Sequence, residues 1–107
     1  MALSEKYDGC QLVTTDAVLL EVGNALSRIA RKQASAVIHQ FQTADEMTLI
    51  SLNPTLFNTA MGWYDKHQDK TWGLVDCVSF AVMDKMQLSV ALAFDRHFVQ
   101  AGFQLAD

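Results

Sequence analysis

Residues 90–94, Val-Ala-Leu-Ala-Phe, form an unbroken apolar run, and Asp95 follows it directly. A run this short and this uniformly apolar reads as a strand covered on both faces, the situation of a strand inside a parallel sheet. Two further short runs, QLVT at 11–14 and MTLISL at 47–52, also read as strands. The stretches between have helical character. Residues 2–8 read as the end of a helix, followed by helices over about 17–30 and 32–43. Another helix starts at Pro54, where the missing N–H costs nothing, and runs to about Gln68. A further one covers about 74–86, residues 96–101 form a short turn or helix, and 103–105 read as a last edge strand. Short strands alternating with helices predict an α/β fold with a short parallel sheet flanked by helices.

The chain has 107 residues, one Pro and five Gly, and no internal repeat or linker, so one domain over 1–107 is expected. No apolar run reaches the roughly 18 residues of a membrane span. The first residues, MALSEKYDG, have no apolar signal core, which points to the cytoplasm. Cys10 and Cys77 form no C-x-x-C pair and are expected as reduced thiols. A net charge of −4 argues against coating nucleic acid through a broad basic surface. It does not argue against a nuclease, because a bound metal can put positive charge where the phosphate sits.

Three carboxylates stand out. Asp95 ends the apolar run, and in such sheets ligands bind at the carboxyl ends of strands. The alternative is that it caps the following turn. Asp76 opens a helix and shares a stripe with Phe80 and Met83, where an unpaired charge would be costly to bury. The alternative is that it faces the positive helix end. Glu21 lies at the margin of the apolar face Val18, Val22, Leu26 and Ile29, and Leu20 makes the other side apolar too. That helix is expected to be well covered, with Glu21 partnered by a metal, Arg28 or Lys32. If the three acids converge, their oxygen-only ligand set favours a hard ion, Mg²⁺ or Mn²⁺.

The segments TTDAVLLEVGNALSR and WGLVDCVSFAVMDKMQLSVALAFDRHFVQAGF resemble PIN domains, especially the toxin ribonucleases of the VapBC toxin–antitoxin type. The pairing of L/V-D-C-x-S-F with A-x-D-R-H-F at this separation carries most of the likeness. The resemblance implies a PIN-like three-layer fold and a metal-dependent endoribonuclease cutting RNA, partnered by an antitoxin. It assigns Glu21, Asp76 and Asp95 as catalytic, metal-ligating acids. PIN domains open with an apolar strand ending in Asp, which nothing before Leu3 supplies, so the fold is expected to lack its usual first strand. Asp8 and Asp16 are the substitutes at hand for the ligand of that strand. The other reading open at this stage is an inactive PIN-like remnant that binds a partner. On either reading, unpaired sheet surface predicts a homodimer.

The remaining candidates have plainer readings. His97 could serve as acid or base, but a packed or surface role fits as well. Asn24 and Ser79 could hydrogen-bond the ligating carboxylates. Arg28, Arg31 and Lys32 make one basic cluster that could contact RNA phosphates or simply end a helix. Trp63, Tyr64 and Trp72 could stack on bases, with core packing as the alternative.

Overall fold

The computed structural model describes residues 2–3, 12–88, 90–91 and 100–105. Its elements, in chain order, are β1 (Ala2–Leu3), β2 (Leu12–Thr15), α1 (Asp16–Leu26), α2 (Arg31–Thr43), β3 (Met47–Ile50), α3 (Pro54–Lys66), α4 (Leu74–Lys85), β4 (Val90–Ala91) and β5 (Gln104–Leu105). The strands form one sheet in the order β3-β2-β1-β4-β5. The α/β architecture expected from the alternation of short runs is present, and most helix bounds fall within two residues of their predicted positions.

Two particulars differ from expectation. Residues 2–3 are strand, not the tail of a helix. They fill the slot between β2 and β4 and run antiparallel to both, with Ala2 opposite Val13 on one side and Ala91 on the other. The sheet is therefore mixed: β2 and β3 are parallel, as are β4 and β5, around an antiparallel centre. An isolated residue pair has no strong strand preference; here the place in the ladder, with partners on both sides, decides its conformation. The end of the predicted 90–94 strand, from Leu92 on, lies outside the described residues.

Local chemistry fixes the helix starts. The Thr15 hydroxyl accepts from the Val18 amide at 3.3 Å and caps α1. The Asn53 side chain accepts from the Leu56 amide at 2.8 Å, with Pro54 at the first helical position of α3. Each cap satisfies one of the amides that a helix leaves free at its beginning.

The core gathers around α4. Cys77, Val78, Phe80, Ala81, Val82 and Met83 are all buried in this helix, against Val13 of β2 and Leu56 and Ala60 of α3. One end of this core is aromatic. Trp72 meets Phe80 edge-on at 5.0 Å between ring centroids, and Trp63 and Phe103 lie 5.6 and 5.8 Å from Phe80. The Trp72 indole N–H donates to Gln100 Oε1 at 2.9 Å, so its one polar group is satisfied in a buried position. Trp63 and Trp72 are thus packing residues, while Tyr64 is exposed. Leu19 of α1 and Ala34 of α2 are also buried but stand outside this cluster. The two helices pack on each other, and α2 packs on β3, which gives a second helical layer.

α4 ends in a Schellman motif. The Leu88 amide donates to the Met83 carbonyl at 2.8 Å and the Gln87 amide to the Asp84 carbonyl at 3.1 Å. Gln87 holds the left-handed position, with φ of 59°. Glycine normally takes this place, because a Cβ there costs about 1–2 kcal/mol. Gln87→Gly is therefore expected to stabilise the fold by roughly 1 kcal/mol in urea denaturation; a clear loss of stability would show that the Gln87 side chain contributes packing that outweighs the strain.

Candidate active site

The C-terminal end of β2 turns directly into α1 at Thr15, and α1 carries Glu21 in its second turn. A cleft of about 310 Å³ runs alongside, lined by Glu21, Ala17, Leu20 and Asn24 of α1 and by Leu74, Val75 and Val78 of α4, with Leu52 and Phe57 closing it from the β3–α3 side. Glu21 and the first turn of α4 therefore face one space. That turn also bears Asp76, which is not itself among the residues lining the cleft: at 100° per residue it points to the other side of α4 from Leu74, Val75 and Val78.

Asp76 is half-buried, at the end of the stripe whose other members, Phe80 and Met83, are fully buried. One carboxylate oxygen, Oδ2, accepts from the Gly73 amide at 3.1 Å. This is half of a capping box, Gly73 having no side chain to return the bond. Asp76 thus has both of the properties set against each other in the sequence: it faces the positive helix end, and it belongs to the stripe of Phe80 and Met83. Burial pushes the neighbouring Cys77 thiol above its ordinary range, and the Asp76 charge adds to the shift. Cys77 is free and buried, a packing residue rather than a nucleophile; Cys10 lies outside the described residues.

Glu21 departs from expectation in its surroundings. α1 buries Ala17 and Leu19, while Leu20 is 67% and Ile29 83% exposed, and Glu21 itself is exposed. The helix is not covered on two sides. Of the predicted face, Val18, Val22 and Leu26 are half-buried and Ile29 is exposed, while α1 packs on β2, α2 and α4. Glu21 therefore needs no partner on grounds of burial, and a ligand role rests on its place at the cleft.

The third acid, Asp95, lies outside the described residues, as do Asp8 and His97. Among the described residues no three of His, Cys, Asp and Glu come together as a metal site. Asp16 is engaged elsewhere, its Oδ1 accepting from the Leu52 amide at 2.9 Å. That bond joins the start of α1 to the loop after β3, across 36 positions of sequence, and holds in place the loop whose Leu52 closes the cleft. No local pattern announces such a contact. Asn24, one turn beyond Glu21, does line the cleft.

If Asp76 ligates a metal, charge and hydrogen bonding at this position should separate. Asp76→Asn keeps an oxygen for the Gly73 amide and should cost less than about 1 kcal/mol of stability, while Asp76→Ala loses the cap and costs about 1–2 kcal/mol. Both should weaken Mn²⁺ binding in calorimetry by about tenfold or more. Unchanged Mn²⁺ affinity in Asp76→Asn would remove Asp76 from the ligand set.

Comparison with known proteins identifies the family. The PIN domain family matches residues 2–104. The chain is 29% identical over 92 residues to the 23S rRNA-specific endonuclease VapC20 of Mycobacterium tuberculosis, in strains CDC 1551 and H37Rv alike, covering 86% of this chain and 70% of the relative. The crystal structure of VapC20, described as a Sarcin-Ricin loop cleaving toxin, superposes with a TM-score of 0.79 at 29% identity, over 87% of this chain and 72% of that one. With the family matching nearly its whole length, this chain belongs to the PIN domain family.

Proposed function

We propose that this protein is a metal-dependent endoribonuclease of the toxin type, acting as one domain on RNA in the cytoplasm. The observation that carries the reading is the cleft where β2 gives way to α1, lined by Glu21 and by Leu74 and Val75 of the turn that also bears Asp76. Membership of the PIN family and the likeness to a toxin endonuclease support the same reading. The non-enzymatic alternative has no observation of its own in its favour.

On this reading Glu21, Asp76 and Asp95 hold Mg²⁺ or Mn²⁺. Oxygen donors alone suit a hard ion that keeps several of its waters, and an open cleft leaves room for them. The bound ion supplies a Lewis acid for the phosphate and a water of lowered pKa. The protein's part is to fix the carboxylates. α4 does this for Asp76 through the Gly73 amide, and Asn24 is within one helical turn of Glu21, where it can orient that carboxylate. A carboxylate binds the cation only in its ionised form, so metal affinity should fall as the pH drops. An antitoxin protein is the partner expected to hold such a toxin in check.

The expected result is cleavage of RNA that requires added Mg²⁺ or Mn²⁺ and falls by about a hundredfold or more in Asp95→Asn. Cleavage that persists in excess chelator would overturn the proposal.

A homodimer completes the reading. Ile29 and Val37 are exposed apolar side chains that do not line the cleft, and a second copy related by a two-fold axis is the common way to cover such surface. Sedimentation should show a dimer that Val37→Glu weakens; a monomer at all concentrations would refute it.

A further inference from the structure

The chain carries twelve acids against eight Lys and Arg, yet three of those eight, Arg28, Arg31 and Lys32, fall within five positions. All three are exposed, in the turn between α1 and α2 and the first turn of α2. Among the described residues none of the three has an acidic partner, and the one ion pair is Lys70 with Asp69. The requirements of the helices explain only part of the cluster. The Arg31 Nε donates to the Ser27 carbonyl at 3.2 Å and so satisfies the end of α1. Lys32, in contrast, sits at the start of α2, where a cation is disfavoured, and that turn has no acid and no side-chain cap to compensate.

The placement relative to the cleft is specific. Glu21 and Asn24 share one side of α1, and Arg28 stands four positions after Asn24, in the turn that follows the helix. The turn after α1 is closed by the Ala30 amide, which donates to the Leu26 carbonyl at 2.9 Å. The basic turn therefore begins about 10 Å from Glu21 along the axis. An RNA strand whose backbone crosses the cleft would bring phosphates to it a few nucleotides from the cut.

We propose that Arg28 and Lys32 form a phosphate-binding subsite for single-stranded RNA, next to the cleft and separate from the metal ligands. The inference rests on the ribonuclease reading. The subsite reads backbone charge and not base sequence, since contacts to phosphate position a strand without specifying it. It also accounts for how an acidic protein can hold an anionic substrate: the attraction is concentrated at one turn instead of spread over the surface.

The test is the binding of a fluorescent single-stranded RNA to the full chain in chelator, over a series of salt concentrations. Charge reversal in Arg28→Glu with Lys32→Glu should weaken binding by about tenfold or more at low salt, and it should flatten the slope of log affinity against log salt by about 0.7 for each phosphate no longer engaged. The neutral pair Arg28→Gln with Lys32→Gln should flatten the slope in the same way with a smaller loss of affinity. Lys85→Glu, at the far end of α4, should leave the slope unchanged. An unchanged slope in both double variants, with thermal melting like that of the parent, overturns the subsite. So does a polyglutamate peptide that binds the parent, loses affinity in the variants, and leaves RNA binding unaffected, because the cluster would then serve an acidic protein segment. Metal-dependent cleavage by the parent is measured alongside: its absence refutes the ribonuclease reading, whereas cleavage with unaltered slopes refutes only the subsite.

Discussion

The burial of α4 is the constraint on which the other parts of this structure depend. Half of its residues are removed from water, and Phe80, Met83 and Cys77 are enclosed completely. A side chain the size of Phe80 contributes several kcal/mol through burial and packing. Trp63, Trp72 and Phe103 pack around it, so that α3, the 71–73 segment and the chain before β5 are all fixed by one ring. Because α4 cannot rotate without exposing that ring, its first turn is held in one orientation. Asp76 inherits its position from Phe80.

The same logic explains why a carboxylate is tolerated there. At a helix beginning, free amides and the aligned peptide dipoles favour negative charge. The Gly73 amide and the partial exposure of Asp76 moderate the desolvation that would otherwise be costly. A charge placed one turn deeper, at the level of Phe80, would have neither. The cap at Asp76 is therefore compatible with the ligand role proposed for it.

Around the cleft the division of labour is different. Glu21 is on an exposed helix surface, and its neighbours Leu20, Leu52 and Phe57 are apolar but unburied. Nothing about the stability of the chain requires these side chains to be where they are. Asp16 contributes by tying the loop after β3 to the start of α1. One wall of the cleft comes from the buried helix α4, and the other from the outer side of α1 and this tied loop.

Much of this is legible in the sequence because it is encoded locally. The caps at Thr15 and Asn53, Pro54 at the head of α3, and the stripe Asp76–Phe80–Met83 all depend on residues within a turn or two of one another. The PIN likeness likewise rests on two local motifs. The covering of α1 is not legible in this way, because hydrophobic pattern tells which side chains could be buried and not which neighbours arrive to bury them; Leu20 and Ile29 are left exposed. The strand at Ala2–Leu3 and its antiparallel sense leave no trace in the sequence, since two residues have no periodicity and their conformation comes from ladder partners far away along the chain. The bond from Leu52 to Asp16 and the meeting of Glu21 with the first turn of α4 belong to the same class. The amino acids determined the local elements and the chemistry each residue could perform; only the packing of α1 and the β3 loop against α4 decided which of them share a space.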